Sequence, residues 1–424
     1  MKELLDKIVL ERLGHDPATW PLTQGVYLVG MLLVAVLLVT FGAVFAGIVS
    51  WWERRVAGRM QSRIGPNRVG PGGFLQWIAD ALKLILKEDL IPDESDKVLF
   101  RLAPYFVIVG FLLTFVVLPF GYHLSATNMN VGLFYVVSIT ALVVVGILIS
   151  GWASNSKWAL FGGIRAAAQV VSYEIPAGLV ILVPIMMAGS LNMHDIIRAQ
   201  GGNPWNWFMF QTPMGFAAFF VLFTSLLAEG NRTPFDLPEA ESEIVAGYNT
   251  EYSGMRFAYF FLAEWGNLWV MSAILTTLFL GGWQVPFLDS RLRMWEAAGP
   301  GNVPAWFYLL SAGVFALKTL ILVNVVIWIR WTFPRIRVDQ MMSLCWKYLV
   351  PIAMGLVVLT AVNELVSFQI WGPKAQEPVG LSHPRGWIHF AWFAVGGLLP
   401  LVAFAMKTRR NIALTGDRVD LTNW

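Results

Sequence analysis

The sequence predicts an all-α, polytopic membrane protein with about nine transmembrane helices and one amphipathic helix at the membrane interface. Hydrophobic residues make up 57% of the 424 residues and charged residues only 13%, a balance unlike that of soluble domains. Apolar stretches long enough to cross the hydrocarbon core of a bilayer, about 30 Å, recur along the chain. Lysine and arginine collect in every second connection between these stretches, as expected of a chain that crosses a membrane repeatedly.

Nine stretches qualify as membrane spans by length and apolar character. In chain order they are Val26 to Trp52, Ala103 to Tyr122, Val131 to Trp152, Ala166 to Met187, Met214 to Leu227, Phe257 to Trp283, Trp306 to Trp331, Tyr348 to Val366 and Trp387 to Met406. The fifth is short for a bilayer, and only the apolar residues Phe208 to Phe210 favour extending it.

The basic residues predict the orientation of the chain. With the N-terminus outside, the cytoplasmic segments hold 21 lysines and arginines and the opposite side holds eight. Because basic residues in short loops are retained in the cytoplasm, this asymmetry predicts an extracytoplasmic N-terminus and a cytoplasmic C-terminus. It also makes the acidic connection between spans five and six cytoplasmic.

Three regions follow from this order of spans. Residues 1–24 form an extracytoplasmic segment, and they mix charged residues with proline instead of forming a cleavable signal peptide. Residues 25–368 form a core of eight spans. Residues 369–424 form a C-terminal extension with the ninth span and a cytoplasmic tail.

Metal and nucleotide sites are not expected in this chain. Cys345 is the only cysteine, and the five histidines are scattered without ligand spacing, so no disulfide, zinc, haem or iron–sulfur site can be built from these residues alone. Neither a glycine-rich dinucleotide motif nor a P-loop is present.

The first cytoplasmic connection combines a shaped basic loop with an amphipathic helix. Four glycines and two prolines between Gly65 and Gly73 forbid regular structure. Apolar residues then recur at helical spacing, with charges on the opposite side; the apolar positions are Phe74, Ile78, Ala81, Leu82 and Ile85. One interpretation is a positively charged membrane anchor. The other is the mouth of a pocket for an amphiphile, which alone accounts for Glu53 and Asp80 among the cations.

The connection between spans five and six holds six carboxylates and one cation, Arg232, from residue 229 to residue 251. A solvated acidic face is one interpretation. The pattern also predicts a helix with Asp236 as N-cap, Pro238 in the first turn and Glu239 in the capping box. Glu239 and Glu243 would then share a helix face, and such coupled acids suit a proton relay.

Glu174, Glu264 and Lys318 lie well inside predicted spans. Glu174 and Glu264 have no cation three or four residues away, and a carboxylate at membrane depth must be paired, hydrated or protonated. Both are therefore candidate proton carriers, with a structural interhelical hydrogen bond as the alternative. Lys318 lies too centrally to reach the interface, so we expect an acidic partner that the sequence does not identify.

Four segments of the chain resemble those of a known family. The segments that carry the resemblance are ERR at 53–55, GPNRVGP at 65–71, EGNRTPFDLPEAESE at 229–243 and FFLAE at 260–264. They are similar to those of the H-subunit family of bacterial respiratory complex I, the proton-translocating NADH:quinone oxidoreductase, over about residues 25–366. The ninth span departs from the eight-span mitochondrial pattern, and Trp265 stands where mitochondrial relatives commonly have tyrosine.

The resemblance implies a membrane subunit in the bacterial plasma membrane that forms much of a quinone chamber and feeds a line of acids. Matching positions imply a quinone chamber or entrance at Arg54, Arg63, Asp80 and Arg232. They imply a proton path through Glu174, Asp236, Glu239, Glu241, Glu243 and Glu264, with Glu53, Glu229 and Glu251 as further members. The implied substrate is ubiquinone or menaquinone, and FMN and iron–sulfur clusters would be held by partner subunits of the membrane and hydrophilic arms.

Two other functions remain open. A membrane anchor of an energy-converting hydrogenase is similar to this family and would dock a hydrogenase module. A stand-alone proton-coupled transporter also needs acids within the membrane, but it should contain inverted internal repeats, which the sequence does not show.

Overall fold

The computed structural model describes residues 22–238, 241–297 and 303–371. The regular structure in these ranges is helical, apart from one isolated β-bridge between Gly121 and Leu124. The prediction of an all-α polytopic protein is therefore confirmed.

The helices in chain order are α1 (Leu22–Met60), α2 (Gln76–Leu86), α3 (Lys97–Thr114), α4 (Gly132–Ala153), α5 (Lys157–Ala188), α6 (Met193–Gln200), α7 (Phe208–Gln211), α8 (Pro213–Glu229), α9 (Glu241–Ile244), α10 (Gly254–Phe279), α11 (Asp289–Ala297), α12 (Ala305–Thr332), α13 (Val338–Ser343) and α14 (Val350–Trp371). Single 3₁₀ turns lie at Pro71–Gly73, Pro204–Asn206 and Gly247–Asn249, and a π-helical stretch, Leu344–Leu349, joins α13 to α14.

Seven helical segments in the described ranges are long and apolar enough to cross a membrane. They are Leu28–Met60 of α1, the helices α3, α4, α5, α10 and α12, and the run Val338–Gln369. The shorter α8, with 17 residues, is about 25 Å long and coincides with the predicted fifth span. Predicted spans one to eight each match an apolar helix. The ninth span and residues 1–21 lie outside the described residues.

Two of these helices extend well past the apolar stretch that predicted them. Helix α1 continues beyond Trp52 to Met60, and α5 begins at Lys157 instead of Ala166. Apolar composition marks only the part of a helix that suits lipid, whereas backbone hydrogen bonding continues through charged residues beyond it. Glu53 and Arg54 are consequently held on rigid helix and not on a loop.

Hydrogen bonds between connections divide the molecule into two faces. The charged face carries the connections 61–96, 154–156, 230–238, 241–253 and 333–337; here the Asn155 side chain donates to the carbonyl of Glu94. The far face carries the connections 115–131, 189–212, 280–297 and 303–304; here the Gly281 N–H donates to the Gln200 side chain. The spanning helices thus alternate in direction. The cytoplasmic location of the charged face remains a prediction.

The first connection has the predicted form. Its loop contains only the 3₁₀ turn at Pro71–Gly73, and α2 then presents Leu82 and Leu86 outward without a buried residue of its own. Trp77 ties α2 to α1, because a β-carbon at Gly47 would lie 2.6 Å from the Trp77 ring. Helix α2 is therefore an amphipathic helix docked on the end of α1, as an interfacial helix should be.

Helix α10 is the most buried of the membrane-length helices in the described ranges, and it packs against α1, α3 and α12. A β-carbon at Gly266 would lie 2.1 Å from the Phe111 ring of α3. Small residues permit such close helix packing in membranes. The contact fixes the position of Glu264, which precedes Gly266 by two residues.

The predicted helix starting at Asp236 is wrong. Turns and irregular backbone run from Asn231 to Pro238, and the helix that follows, α9, begins only at Glu241. Glu239 lies outside the described residues, so the helix face that it was predicted to share with Glu243 stays a prediction. An N-cap contributes only about 1 kcal/mol, which tertiary contacts to the segment override.

The acidic partner expected for Lys318 is not found in the described part of the chain. Its ammonium instead donates to the backbone carbonyls of Leu280, Gly282 and Gln284 on the far face. The expectation was wrong because carbonyl dipoles gathered at a turn can satisfy an ammonium without a counter-charge.

Candidate functional site

An open cavity of about 450 Å³ lies on the charged face between α2 and the start of α10. Its charged lining residues are Arg54, Asp80, Lys83 and Lys87, and its apolar lining residues include Leu84, Phe257 and Phe261. A cavity of this size, with charges on one side and aromatic rings on another, suits an amphiphile that has a polar head.

The charges of this cavity are organised by one ion pair. Arg54 Nη1 lies 2.5 Å from Asp80 Oδ2, and the Gln76 side chain donates to Asp80 Oδ1 at 3.0 Å. The two charged side chains are 40% and 33% exposed, so the pair adds at most about 1 kcal/mol of stability. The ion pair instead orients Arg54, since it holds the guanidinium at the cavity wall. Arg63 lies apart, exposed and bonded to Gln61 at 2.7 Å.

A second cluster of charges is buried beside the first. Arg232 is 1% exposed and lies between two carboxylates, with Nη1 3.5 Å from Glu53 Oε2 and Nη2 3.2 Å from Glu264 Oε1. Arg330 Nη1 lies 2.9 Å from the other oxygen of Glu53. Two cations and two anions therefore alternate, and this pairing offsets the cost of burying them. Because Glu53 precedes Arg54, the buried cluster adjoins the open cavity.

Trp265 completes this cluster. The guanidinium carbon of Arg232 lies 4.5 Å from the centre of its indole ring, and that of Arg330 lies 5.8 Å away. An indole face attracts a cation without accepting its hydrogen bonds. Trp265 can therefore position both guanidinium groups beside Glu53 and Glu264.

The interpretation of Glu264 as a carboxylate without a nearby cation is thereby corrected. Positions three and four residues away describe one helix only, whereas Arg232 reaches Glu264 from the connection after α8. Glu174 differs, because none of the described ion pairs includes it.

Two small cavities join three of these acids inside the helix bundle. The larger, about 50 Å³, is lined by Glu264, Asn267, Thr140 and Glu229 among others. The smaller, about 30 Å³, is lined by Glu229, Thr140 and Glu174. Since Glu229 and Thr140 line both, the order of acids is Glu264, Glu229, Glu174.

These cavities are large enough for water. A single water needs roughly 10–15 Å³ of such space together with two or more polar partners. Carboxylates, the Thr140 hydroxyl and the Asn267 amide supply those partners. The arrangement can therefore pass protons along water between carboxylates that are too far apart for direct bonds.

A buried glutamine holds the acidic segment against α5. The side-chain Nε2 of Gln169 lies 2.7 Å from the Ala228 carbonyl, 2.6 Å from the Phe235 carbonyl and 3.1 Å from Asn231 Oδ1, so its two N–H groups are shared among three acceptors. Gly162 allows the same segment to approach, because a β-carbon there would lie 2.6 Å from the α-carbon of Gly247. These contacts decide the path of the segment.

Asp236, Glu243 and Glu251 do not line the two internal cavities. Asp236 pairs with Arg335 at 3.2 Å, and the half-exposed Glu243 pairs with Arg165 at 2.6 Å. Glu251 is partly buried at the end of the segment. Glu241 begins α9, and Glu239 lies outside the described residues.

Sequence reasoning missed several residues of this site. Arg330 and Arg335 were counted only as basic anchors, and nothing local marks them as partners of Glu53 and Asp236. Gln169 had a usable signal, since a polar side chain within an apolar span needs a bonding partner. The members missed are Thr140, Gln169, Asn267, Arg330 and Arg335.

Comparisons with known proteins give consistent matches. A family model described as NADH dehydrogenase matches residues 32–361. The NADH-quinone oxidoreductase H subunit of Anaeromyxobacter dehalogenans is 56% identical over 98% of this chain and 99% of its own length. The H subunits from Chlorobium luteolum and Polaromonas naphthalenivorans are 48% and 44% identical; they cover 78% and 84% of this chain and 89% and 96% of their own lengths.

Proposed function

The chain belongs to the NADH dehydrogenase family, with H subunits of NADH-quinone oxidoreductase as its relatives, and we propose that it couples quinone reduction to proton translocation. In this proposal the protein forms part of a quinone chamber and supplies a line of acids leading from that chamber into the membrane. The observation that carries the proposal is the pair of cavities that share Glu229 and so join Glu264 to Glu174.

The quinone part of the proposal is supported by the open cavity on the charged face. A quinone has a polar head and an apolar tail, and the cavity offers charges at Arg54 and Asp80 and aromatic rings at Phe257 and Phe261. The docked helix α2 exposes apolar side chains beside it, which would let the tail enter from the bilayer. Arg63 on the adjoining loop contributes to the entrance, and Arg232 lies behind the cavity.

The electrons for this reaction come from partner subunits. Conversion of a quinone to a quinol takes up two electrons and two protons. FMN and iron–sulfur clusters in the hydrophilic arm supply the electrons, and this chain's residues handle protons and charge. The protein lies in the bacterial plasma membrane, with its N-terminus outside and its C-terminus in the cytoplasm.

Coupling in this proposal is electrostatic. Negative charge that appears on a reduced quinone near Arg54 attracts protons. It also shifts the equilibrium between the charged and the protonated carboxylates in the adjoining cluster of Glu53, Arg232, Glu264 and Arg330. Release of Glu264 from Arg232 would let it take up a proton and pass it by way of Glu229 towards Glu174. Asp236, Glu239, Glu241, Glu243 and Glu251 would deliver protons to the cluster from the charged face.

The proton path is tested by removing charge from its members in the assembled complex. Glu174→Gln and Glu229→Gln keep a hydrogen-bonding side chain but cannot exchange a proton, so each should lower NADH:quinone activity and proton translocation together. The double variant should lose less activity than the product of the two single fold-losses predicts, because the effects of residues in one path are not additive. Activity is measured as quinone reduction, and translocation as acidification of proteoliposomes.

A matched control is Glu364→Gln. Glu364 is a carboxylate in α14 that lines neither internal cavity, so its replacement should leave both measurements near wild-type values. Full coupled turnover in the Glu174→Gln, Glu229→Gln double variant would refute the path. The same replacement of Glu239 by Gln extends the test to the part of the segment outside the described residues.

A further inference from the structure

A buried ammonium lies towards the far face of the bundle. Lys318, in the middle of α12, is 9% exposed. Its Nζ donates to the carbonyls of Leu280, Gly282 and Gln284 at 2.8, 3.0 and 3.2 Å. An ammonium has three N–H donors and a neutral amine has two, so a set of three carbonyls favours the charged form. The indole of Trp207, centred 4.4 Å from Nζ, covers another side of the cation.

The carbonyls converge because two glycines turn the backbone. Gly281 and Gly282 have φ angles of 69° and 47°, a left-handed conformation that glycine adopts without strain. The turn is held from outside as well. Its Gly281 N–H donates to the Gln200 side chain at 2.8 Å, and the Gln284 side chain donates to the carbonyl of Ile197 at 2.9 Å. The cation therefore lies in a rigid, tightly packed cap.

This cap lies just beyond the far end of the acid-lined cavities. The smaller cavity, between Glu174 and Glu229, reaches α10 at Ile274. The first carbonyl bound by Lys318 belongs to Leu280, about 9 Å further along the same helix axis at 1.5 Å per residue. Leu278 and Phe279, between the two, are fully buried. Acids lie on one side of this apolar layer and a fixed cation lies on the other.

A fixed cation in a water-poor environment opposes the passage of protons. It repels hydronium and any protonated water chain, as cationic groups do in pores that conduct water but exclude protons. By binding three carbonyls it also removes the acceptors that would otherwise hold water in the cap. Both effects act at the place where a path from the acids would reach the far side.

We propose that Lys318 is the electrostatic barrier that keeps the line of acids closed towards the far face, so that protons do not leak through this protein. The proposal rests on the proposed function in one respect, since it takes the acids to conduct protons. It assigns to Lys318 the prevention of leakage and no part in quinone reduction.

The test measures passive proton flux through the intact complex. Purified complex is reconstituted into liposomes that contain a trapped pH-sensitive dye, and a pH gradient is imposed without NADH or quinone. Lys318→Met keeps a long, unbranched side chain, one atom shorter than lysine, but removes its charge, and it should raise proton flux several-fold over that of the wild-type complex. Quinone reduction should continue, while protons translocated per turnover should fall.

Two further variants separate charge from packing. Gln284→Met removes a neutral hydrogen bond from the same cap and should leave the vesicles as tight as wild type. Lys318→Gln is neutral yet can still donate to two of the carbonyls, so it should leak even if Lys318→Met does not assemble. Tight vesicles with the neutral Lys318 variants, or an equal leak with Gln284→Met, would overturn the barrier.

A double variant distinguishes this proposal from the proposed function. Adding Glu174→Gln to Lys318→Met should reduce the leak, because the acids are then interrupted. If the leak persists undiminished in the double variant, Lys318 still acts as a barrier, but the acids are not the route that the leaking protons take. A leak that never appears would overturn the barrier and leave the proposed function to its own test.

Discussion

Arg232 is the residue at which the buried charges converge. It comes from a segment that connects two helices, yet it is 1% exposed and contacts Glu53 from α1 and Glu264 from α10. Removing one partner of a buried pair typically costs about 3–5 kcal/mol, so the cluster joins three parts of the chain firmly. Arg330 and the Trp265 ring complete it. A change in the protonation of one carboxylate must therefore affect all four charges.

Arg54 and Arg63 offer a comparison within one connection. Arg54 lines the open cavity and pairs with Asp80, whereas Arg63 is exposed and bonds only Gln61 among the contacts described. Arg54→Met should raise the apparent KM for quinone and lower quinone reductase activity, because it removes the cation from the cavity wall. Arg63→Met should have a smaller effect of the same kind. Both are measured in assembled complex.

NADH oxidation with an artificial acceptor serves as the control for these two variants, since it bypasses the quinone and should stay unchanged. Equal losses for Arg54→Met and Arg63→Met would mean that the cavity wall has no special role. No loss in either would make both residues simple membrane anchors.

At the scale of the elements, the connections on each face are held by side chains from the helices. On the charged face, the Gln169 amide of α5 lies within hydrogen-bond distance of the Ala228 carbonyl in α8 and of Asn231 Oδ1 and the Phe235 carbonyl in the acidic segment, and so holds that segment in place. On the far face, short helices such as α6 pack over the ends of the spanning helices, and Gln200 at the end of α6 holds the turn around Gly281. A buried glutamine thus fixes a connection on each face of the bundle.

Helix α6 should lose stability in acid. Burial, together with the positive charges of His123 and Arg198, lowers the pKa of His194 from 6.5 to about 4, and the ring bonds Ser125 at 3.0 Å. The folded protein holds this ring neutral, while the unfolded chain protonates it below its ordinary pKa. The stabilising contribution is therefore complete above pH 6.5 and is lost as the pH falls towards 4.

Hydrogen exchange of the backbone amides of α6 measures this effect. After correction for the intrinsic rates, protection should fall between neutral pH and about pH 5 in the wild-type protein. His194→Asn cannot titrate in this range, so its protection should vary much less. Equal pH dependence in the two proteins would contradict the assignment to His194.

At the scale of the whole molecule, charge is separated along the membrane normal. The acids, the arginine cluster and the open cavity lie towards the charged face, and the Lys318 cation lies about 24 Å along α10 from Glu264, measured from Glu264 to Leu280. The most buried membrane-length helix thus connects the two ends. This polarity suits a protein that takes up protons from one side only.

The orientation of the molecule is tested with reporters. A reporter that fluoresces only in the cytoplasm, fused after Trp424, should fluoresce, because the basic residues predict nine spans and a cytoplasmic C-terminus. The same reporter inserted into α11 on the far face should not. A dark C-terminal fusion in a folded, assembled complex would reverse the position of the tail and remove the ninth span from the topology.

The sequence by itself determined the fold class, the positions of eight spans among the described residues, and the family. These properties are sums over neighbouring residues: hydropathy over a span, charge over a connection, and motifs such as that at 229–243. Tertiary structure alone decided which charges meet. Glu53, Arg232, Glu264 and Arg330 come from four distant segments, Asp236 pairs with Arg335 from the connection after α12, and among the described residues Lys318 binds carbonyls instead of an acid. The reason is that an ion pair depends on distances set by helix packing, which local spacing along the chain does not contain.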